Sequence, residues 1–188
     1  MGPIQWKNSF FLFLVFCLPA INVSAQRYFV QRSEVSFLSD APLEKIEAVS
    51  TQLQGVIDLA ERTFAFSIPV RSFEGFNSQL QAEHFNENYV ESETYPKSFF
   101  TGKIVDEFDP SVPGKYPVRA KGIFTIRGVA REKIVRGILE VKDDMIVLTT
   151  EFTILLDEYS IRIPRVVYQK IAPEIQVKLF AELTVDRK

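Results

Sequence analysis

Glu174-Ile175-Gln176-Val177-Lys178-Leu179-Phe180-Ala181-Glu182-Leu183-Thr184-Val185 alternates its side-chain character at every second position. Ile175, Val177, Leu179, Ala181, Leu183 and Val185 share one face, which is apolar throughout. The other face, Glu174, Gln176, Lys178, Phe180, Glu182 and Thr184, is largely polar. A period of two is that of an extended strand, whose successive side chains leave opposite sides of a sheet. A strand with one apolar and one wet face belongs to an antiparallel sheet that is closed or stacked so that its apolar faces meet.

The same period recurs upstream. Val35 and Phe37 alternate with Glu34 and Ser36, and Ile46 and Ala48 sit between Lys45, Glu47 and Val49. Residues 52–58 form a further short run, and Phe64, Phe66 and Ile68 alternate with Thr63, Ala65 and Ser67 up to Pro69. Phe100, Gly102 and Ile104 share a face. Beyond the Pro/Gly-containing loop at 109–114, residues 118–126 continue the pattern. Val135, Leu139 and Val141 follow, then Ile146, Leu148, Thr150, Phe152, Ile154 and Leu156, with Lys142-Asp143-Asp144 as a hairpin connection between them. The reading is all-β, with about eight antiparallel strands. That number favours a closed barrel, which leaves no unpaired edge. Two segments break the alternation. In residues 73–89, Phe76, Leu80 and His84 recur at spacing four, as do Phe85 and Tyr89, so an amphipathic helix is expected there, capped at Asn77-Ser78. A second short helix is expected within 161–171, with Pro164 in its first turn and Val167 and Ile171 four apart.

The first 25 residues stand apart. Lys7 precedes an uncharged apolar run from Phe10 to Leu18, Pro19 breaks it, and Val23-Ser24-Ala25 offers small residues for cleavage. That is the architecture of a secretory signal peptide, and its apolar run is about half the roughly 20 residues a membrane-spanning helix needs. Phe16 before Cys17 is too large for a lipidation site. Cleavage after Ala25 removes Cys17, the one cysteine, and leaves a domain over 26–188 without a disulfide or a thiol nucleophile. Losing Lys7 leaves 21 basic against 24 acidic residues, a net charge of −3 with no basic stripe, so nucleic acid is not an expected partner. Of seventeen phenylalanines, Phe10, Phe11, Phe13 and Phe16 go with the leader and thirteen remain.

The polar chemistry gathers in His84-Phe85-Asn86-Glu87-Asn88-Tyr89-Val90-Glu91-Ser92-Glu93-Thr94-Tyr95-Pro96, which holds the single histidine. On a helix His84 and Glu87 share a face, and Glu83 adjoins them. Such a set could bind a metal or activate water, which keeps a metal-dependent hydrolase in view. A catalytic zinc needs three protein ligands, however, and the chain offers no second histidine and no retained cysteine. No Gly-x-Ser-x-Gly elbow or glycine-rich phosphate loop occurs. The phenylalanines on the inward faces either fill the core or line an apolar cavity, since a barrel of about eight strands is just wide enough for side chains or one small ligand.

Two stretches carry a resemblance. Residues 84–97 with Phe100-Thr101-Gly102-Lys103 are similar to the central signature of the YceI-like polyisoprenoid-binding proteins. Lys121-Gly122-Ile123-Phe124-Thr125-Ile126-Arg127-Gly128-Val129 resembles the second, with Arg127 where the family usually has histidine. The resemblance implies a lipocalin-like antiparallel barrel exported to the periplasm, non-enzymatic and without a cofactor or bound metal. Its interior would hold an isoprenoid-type lipid such as a quinone or polyprenyl tail. The expected cavity residues are Phe37, Phe64, Phe66, Phe85, Tyr89, Phe100, Phe124, Phe152 and Ile154. The protein is then a monomer or homodimer with at most transient membrane contact. A packed barrel serving as an envelope interaction module is the remaining alternative.

Overall fold

The alternating segments become nine strands in a computed structural model, which describes Gly2 and residues 27–185. The leader expected over 1–25 lies, apart from Gly2, outside the described residues. The strands are β1 (Arg27–Asp40), β2 (Lys45–Ser50), β3 (Gln54–Asp58), β4 (Thr63–Pro69), β5 (Lys97–Ile104), β6 (Gly114–Ile126), β7 (Val129–Val141), β8 (Met145–Leu155) and β9 (Glu174–Val185). All neighbouring pairs are antiparallel, and β1 also pairs with β9, so the sheet closes on itself. β2 and β3 lie along the same edge of β1 in one continuous register, from Asp40↔Lys45 through Val35↔Ser50 to Phe29↔Val56 and Arg27↔Asp58. They act as one stave interrupted at residues 51–53, and the wall is a closed antiparallel barrel of eight staves.

Closure depends on keeping the inward faces matched around the ring. At the seam the register shifts by one residue between Val30 and Arg32. Before this bulge, Tyr28 and Val30 oppose Val185 and Leu183; after it, Ser33, Val35 and Phe37 oppose Ala181, Leu179 and Val177. One inserted residue thus moves the inward parity of β1 from even to odd and keeps it facing the odd-numbered apolar row of β9. This bulge explains why the simple alternation of β1 is legible only near Val35 and Phe37. The strand is longer than expected and starts at Arg27.

One end of the barrel is packed solid. Tyr28, Leu59, Val141, Ile146 and Leu183 are buried there. Phe108 and Tyr116 form a tilted ring pair with centroids 5.0 Å apart and pack against this core. The Asp106 carboxylate ties the β5–β6 connection to β6, accepting from the Arg119 backbone N–H at 2.5 Å and from its guanidinium at 2.7 Å. These side-chain and backbone hydrogen bonds from Arg119 hold the Asp106 carboxyl below its ordinary value.

The other end carries the two interruptions of the strand pattern, both shorter than expected. α1 spans Gln79–His84 only, with Ser78 as its cap accepting from the Gln81 N–H at 3.2 Å. It continues into a π-helical turn, Phe85–Tyr89, in which the Val90 N–H reaches back to the Phe85 carbonyl. Residues 73–77 are not helical: Glu74 bridges to Val49 through both backbone groups, and Gly75 takes a left-handed φ of 94°. The helix expected within 161–171 is a single 3-10 turn, Arg165–Val167, with Pro164 at its start.

Gly102 and Gly122 face each other across β5 and β6. A Cβ on Gly102 would sit 2.2 Å from the Lys121 carbonyl oxygen, and one on Gly122 2.2 Å from that of Thr101. Neither backbone can yield without disturbing the ladder. Gly102→Ala is expected to cost about 1–3 kcal/mol through overpacking, read as a lower urea midpoint at unchanged slope; an unchanged midpoint would show that the wall relaxes freely.

Candidate functional site

The barrel interior above the packed end is a cavity of about 520 Å³. Its wall is drawn from the inward rows of the strands, from α1 and from the π-helical turn. All nine residues expected from the sequence lie on this wall: Phe37, Phe64, Phe66, Phe85, Tyr89, Phe100, Phe124, Phe152 and Ile154. The phenylalanines form two groups. Deeper in the barrel, Phe66–Phe64, Phe64–Phe100, Phe100–Phe124 and Phe124–Phe152 follow one another with centroid separations of 5.8, 4.8, 5.4 and 5.8 Å. Under α1, Phe37, Phe73, Phe76 and Phe85 make a second cluster, with Phe37–Phe85 stacked at 5.3 Å and Phe76–Phe85 at 5.2 Å. Aromatic rings in tilted and edge-on pairs fix the shape of such a wall.

Phe73 and Phe76 were not among the expected wall residues. Their signal is hidden because they belong to no regular element: the Glu74–Val49 bridge and the left-handed Gly75 direct this stretch. Val167 and Ile171, from the loop before β9, also reach the wall.

Charged side chains on the wall are confined to one end. Glu44, His84 and Lys170 line the cavity, together with Gln81 and Ser78. His84 and Lys170 are exposed, and so is Leu80, which is also on the wall, so the cavity meets solvent at the α1 end. Gln81 Nε2 donates to Glu44 Oε1 at 2.5 Å, holding α1 to the turn before β2. Below this rim the wall is almost wholly apolar, and burial pushes the Tyr89 phenol up from its ordinary value.

His84, Glu83 and Glu87 share the α1 end but do not converge on a reaction centre. All three are exposed, and Glu83 accepts a hydrogen bond from Gln79 at 2.9 Å. Among the described residues, no cluster of three His, Cys, Asp or Glu side chains is placed to hold a metal ion.

The rest of the polar stretch is a clasp. Arg127 and Gly128 form the two-residue β6–β7 turn, with φ values of 48° and 70°, as a hairpin turn with two left-handed central residues requires. The Arg127 guanidinium donates to the Glu91 carboxylate and, at 2.8 Å, to the Ser160 carbonyl. Tyr95 lies over Gly128 so closely that a Cβ there would fall 2.5 Å from its ring. Arg71 donates to Ser92 Oγ at 2.9 Å and to Glu93 at 3.0 Å. Two stretches separated by some thirty residues are therefore one contact in space. Arg127 itself is not on the cavity wall.

Beside the clasp, β7 and β8 pair only from Gly137↔Thr150 to Val141↔Ile146 and splay apart beyond. The 3-10 turn Leu156–Tyr159 contacts both strands there. Lys133 and Glu158 pair at 2.6 Å. Tyr159 is wholly buried, with no hydrogen-bond partner for its hydroxyl among the described residues. Burial, with help from the Glu158 charge, pushes its phenol up to about 12.

The comparisons with known proteins agree with this architecture. The family model of a YceI-like domain matches residues 29–183. A polyisoprenoid-binding domain from Saccharophagus degradans, implicated in plant cell wall breakdown, superposes with a TM-score of 0.71 at 14% identity, covering 84% of this chain and 98% of that one. BcnA of Burkholderia cenocepacia gives 0.64 at 19% identity, over 80% and 95% of the two chains. The YceI protein of Campylobacter jejuni gives 0.55 at 13%, over 98% and 100%. No curated protein matches the sequence.

Two outcomes follow from the clasp and from the buried Tyr159 beside it. Arg127→Ala is expected to lower stability by about 1 kcal/mol, the pair being screened at the partly exposed Glu91, without closing the cavity; an unchanged melting temperature would show that the clasp is idle. In a spectrophotometric titration, one tyrosine should ionise only near pH 12. Because the unfolded chain gives up that proton near pH 10 while the folded one retains it, stability should be intact below pH ~10 and fall as pH rises towards 12. Tyr159→Phe should remove this late step while changing stability at neutral pH by less than about 1 kcal/mol, the lost hydroxyl having no partner.

Proposed function

Since the chain belongs to the YceI-like domain family, we propose that it is an exported, non-enzymatic binding protein whose barrel holds one isoprenoid-type lipid, a quinone or polyprenyl tail. The single observation that carries this reading is the cavity. At about 520 Å³ it lies in the range of ligand-binding pockets, roughly 300–1,000 Å³. It is lined by aromatic and aliphatic side chains, with its charged groups at one end. Such a wall favours an uncharged chain, because burying a charge without a partner is costly. The gain comes from apolar area removed from water, at roughly 25 cal/mol per Å², less the cost of association. A polar head would then rest near Glu44, His84 and Lys170. The polyisoprenoid-binding domain of Saccharophagus degradans, similar in fold, supports an isoprenoid over other lipids. The signal-like residues 1–25 support export, with the periplasm as the compartment. The exposure of His84, Glu83 and Glu87 supports binding rather than hydrolysis.

Ala120 lines the cavity on the inward row of β6 and is partly exposed to it. A tryptophan there would fill the space a ligand needs. Fluorescence titration with a short-chain quinone should give saturable one-to-one binding, weakened at least about tenfold, or 1.4 kcal/mol, in Ala120→Trp with the circular dichroism unchanged. Equal affinity in the folded variant, or no saturable binding by the unmodified chain, would contradict the assignment.

A further inference from the structure

We propose that the loop before β9, residues 162–170, docks the cavity mouth on an anionic lipid surface, an inference that rests on the cavity reading above. This stretch contains Arg162, Arg165 and Lys170 and no carboxylate. At its tip Val166 is 90% exposed and Tyr168 64%. Leu43, 66% exposed, lies beside them, its N–H bonded to the Gln169 carbonyl at 2.9 Å. Singly exposed apolar side chains are ordinary, but three adjoining ones beside the opening of an apolar cavity mark an interaction surface.

The surface is continuous with the cavity, because Val167 and Lys170 of the same loop line it. Its base is fixed: the Ala172 N–H bonds Ser39 Oγ at 2.9 Å, and the Leu156 N–H bonds the Pro173 carbonyl at 3.0 Å. The tip thus stands out from a rigid support. Tyrosine has an apolar body and a polar end suited to the headgroup boundary, and arginine and lysine flank it to meet phosphates. α1, at the same mouth, carries Glu83 and Glu87, both exposed. An anionic surface would therefore attract the 162–170 side and repel the α1 side, which tilts the barrel onto one lip of its mouth. A lipid tail could then pass between bilayer and cavity without crossing water.

Co-sedimentation of the full chain with phosphatidylcholine vesicles, with and without phosphatidylglycerol, tests this. Variants share the unmodified N-terminus, so any contribution of the apolar stretch there is common to all. The unmodified chain should bind the anionic vesicles several-fold better than the neutral ones. Arg162→Glu with Arg165→Glu should cost about fivefold or more per reversed cation, and Val166→Asp with Tyr168→Ser should abolish the remainder. Both variants should keep the circular dichroism and the uptake of a short-chain quinone from solution. Equal binding to both vesicle types, or variants that bind like the unmodified chain, would overturn the proposal. So would a vesicle-free dimer that Val166→Asp dissociates, since the face would then belong to a second copy. Failure of quinone uptake with anionic vesicle binding intact would count against the cavity reading alone and leave the docking surface supported.

Discussion

Pairing of β1 with β9 is the constraint on which everything else in this barrel depends. Without it two long edges would lie open, and the inward rows would face water instead of each other. The pairing runs from Tyr28↔Val185 to Leu38↔Gln176 and absorbs one inserted residue on the way. Had the register run on without the bulge, Ser33, Val35 and Phe37 would oppose Phe180, Lys178 and Gln176, the largely polar row of β9. No cysteine occurs in the described residues, so closure is maintained by hydrogen bonds and apolar burial alone. The bulge is thus the device by which an irregular strand still encloses a regular apolar space.

Enclosure alone would give a filled core. What leaves room is the unequal treatment of the two ends. At one, Tyr28, Leu59, Ile146 and Leu183 are buried and close the barrel. At the other, the chain spends residues 70–96 on a cap standing off the strands, held at its margins. Ser50 and Ser72 hydroxyls meet at 2.6 Å, Arg71 grips Ser92 and Glu93, and Arg127 grips Glu91. The cap is positioned by polar contacts at its rim and faces the cavity with Phe73, Phe76, Phe85 and Tyr89. Polar fixing outside and apolar lining inside let the cap span a space it does not fill. Each task falls to different residues of the same segment.

This division explains what could be seen in the sequence. The strand rows were legible because a half-buried strand imposes a strict period: β9 reads without error, and Phe64, Phe66, Phe100, Phe124, Phe152 and Ile154 fall on inward positions. β1 was legible only in part because its bulge reverses the parity and because Ser33 and Ser39 occupy buried inward positions. β7 was blurred by Arg131, Lys133 and Gly137, which share the inward row with Val135 and Leu139. The helix expected over 73–89 was too long, since a π turn and an extended stretch mimic α-helical spacing in Phe76, Leu80, His84, Phe85 and Tyr89. The contact of Glu91 and Tyr95 with Arg127 and Gly128 left no periodic trace, because it joins two loops whose nearness only the closed barrel creates.

The proposed function requires that the space between the cap and the packed end hold one apolar chain. Native mass spectrometry of the protein purified from its own host, before and after organic extraction, tests it most directly. One adduct per chain with the mass of a long uncharged lipid is expected, removed by extraction and restored by incubation with an isoprenoid quinone. A bare chain that takes up no isoprenoid after extraction would contradict it.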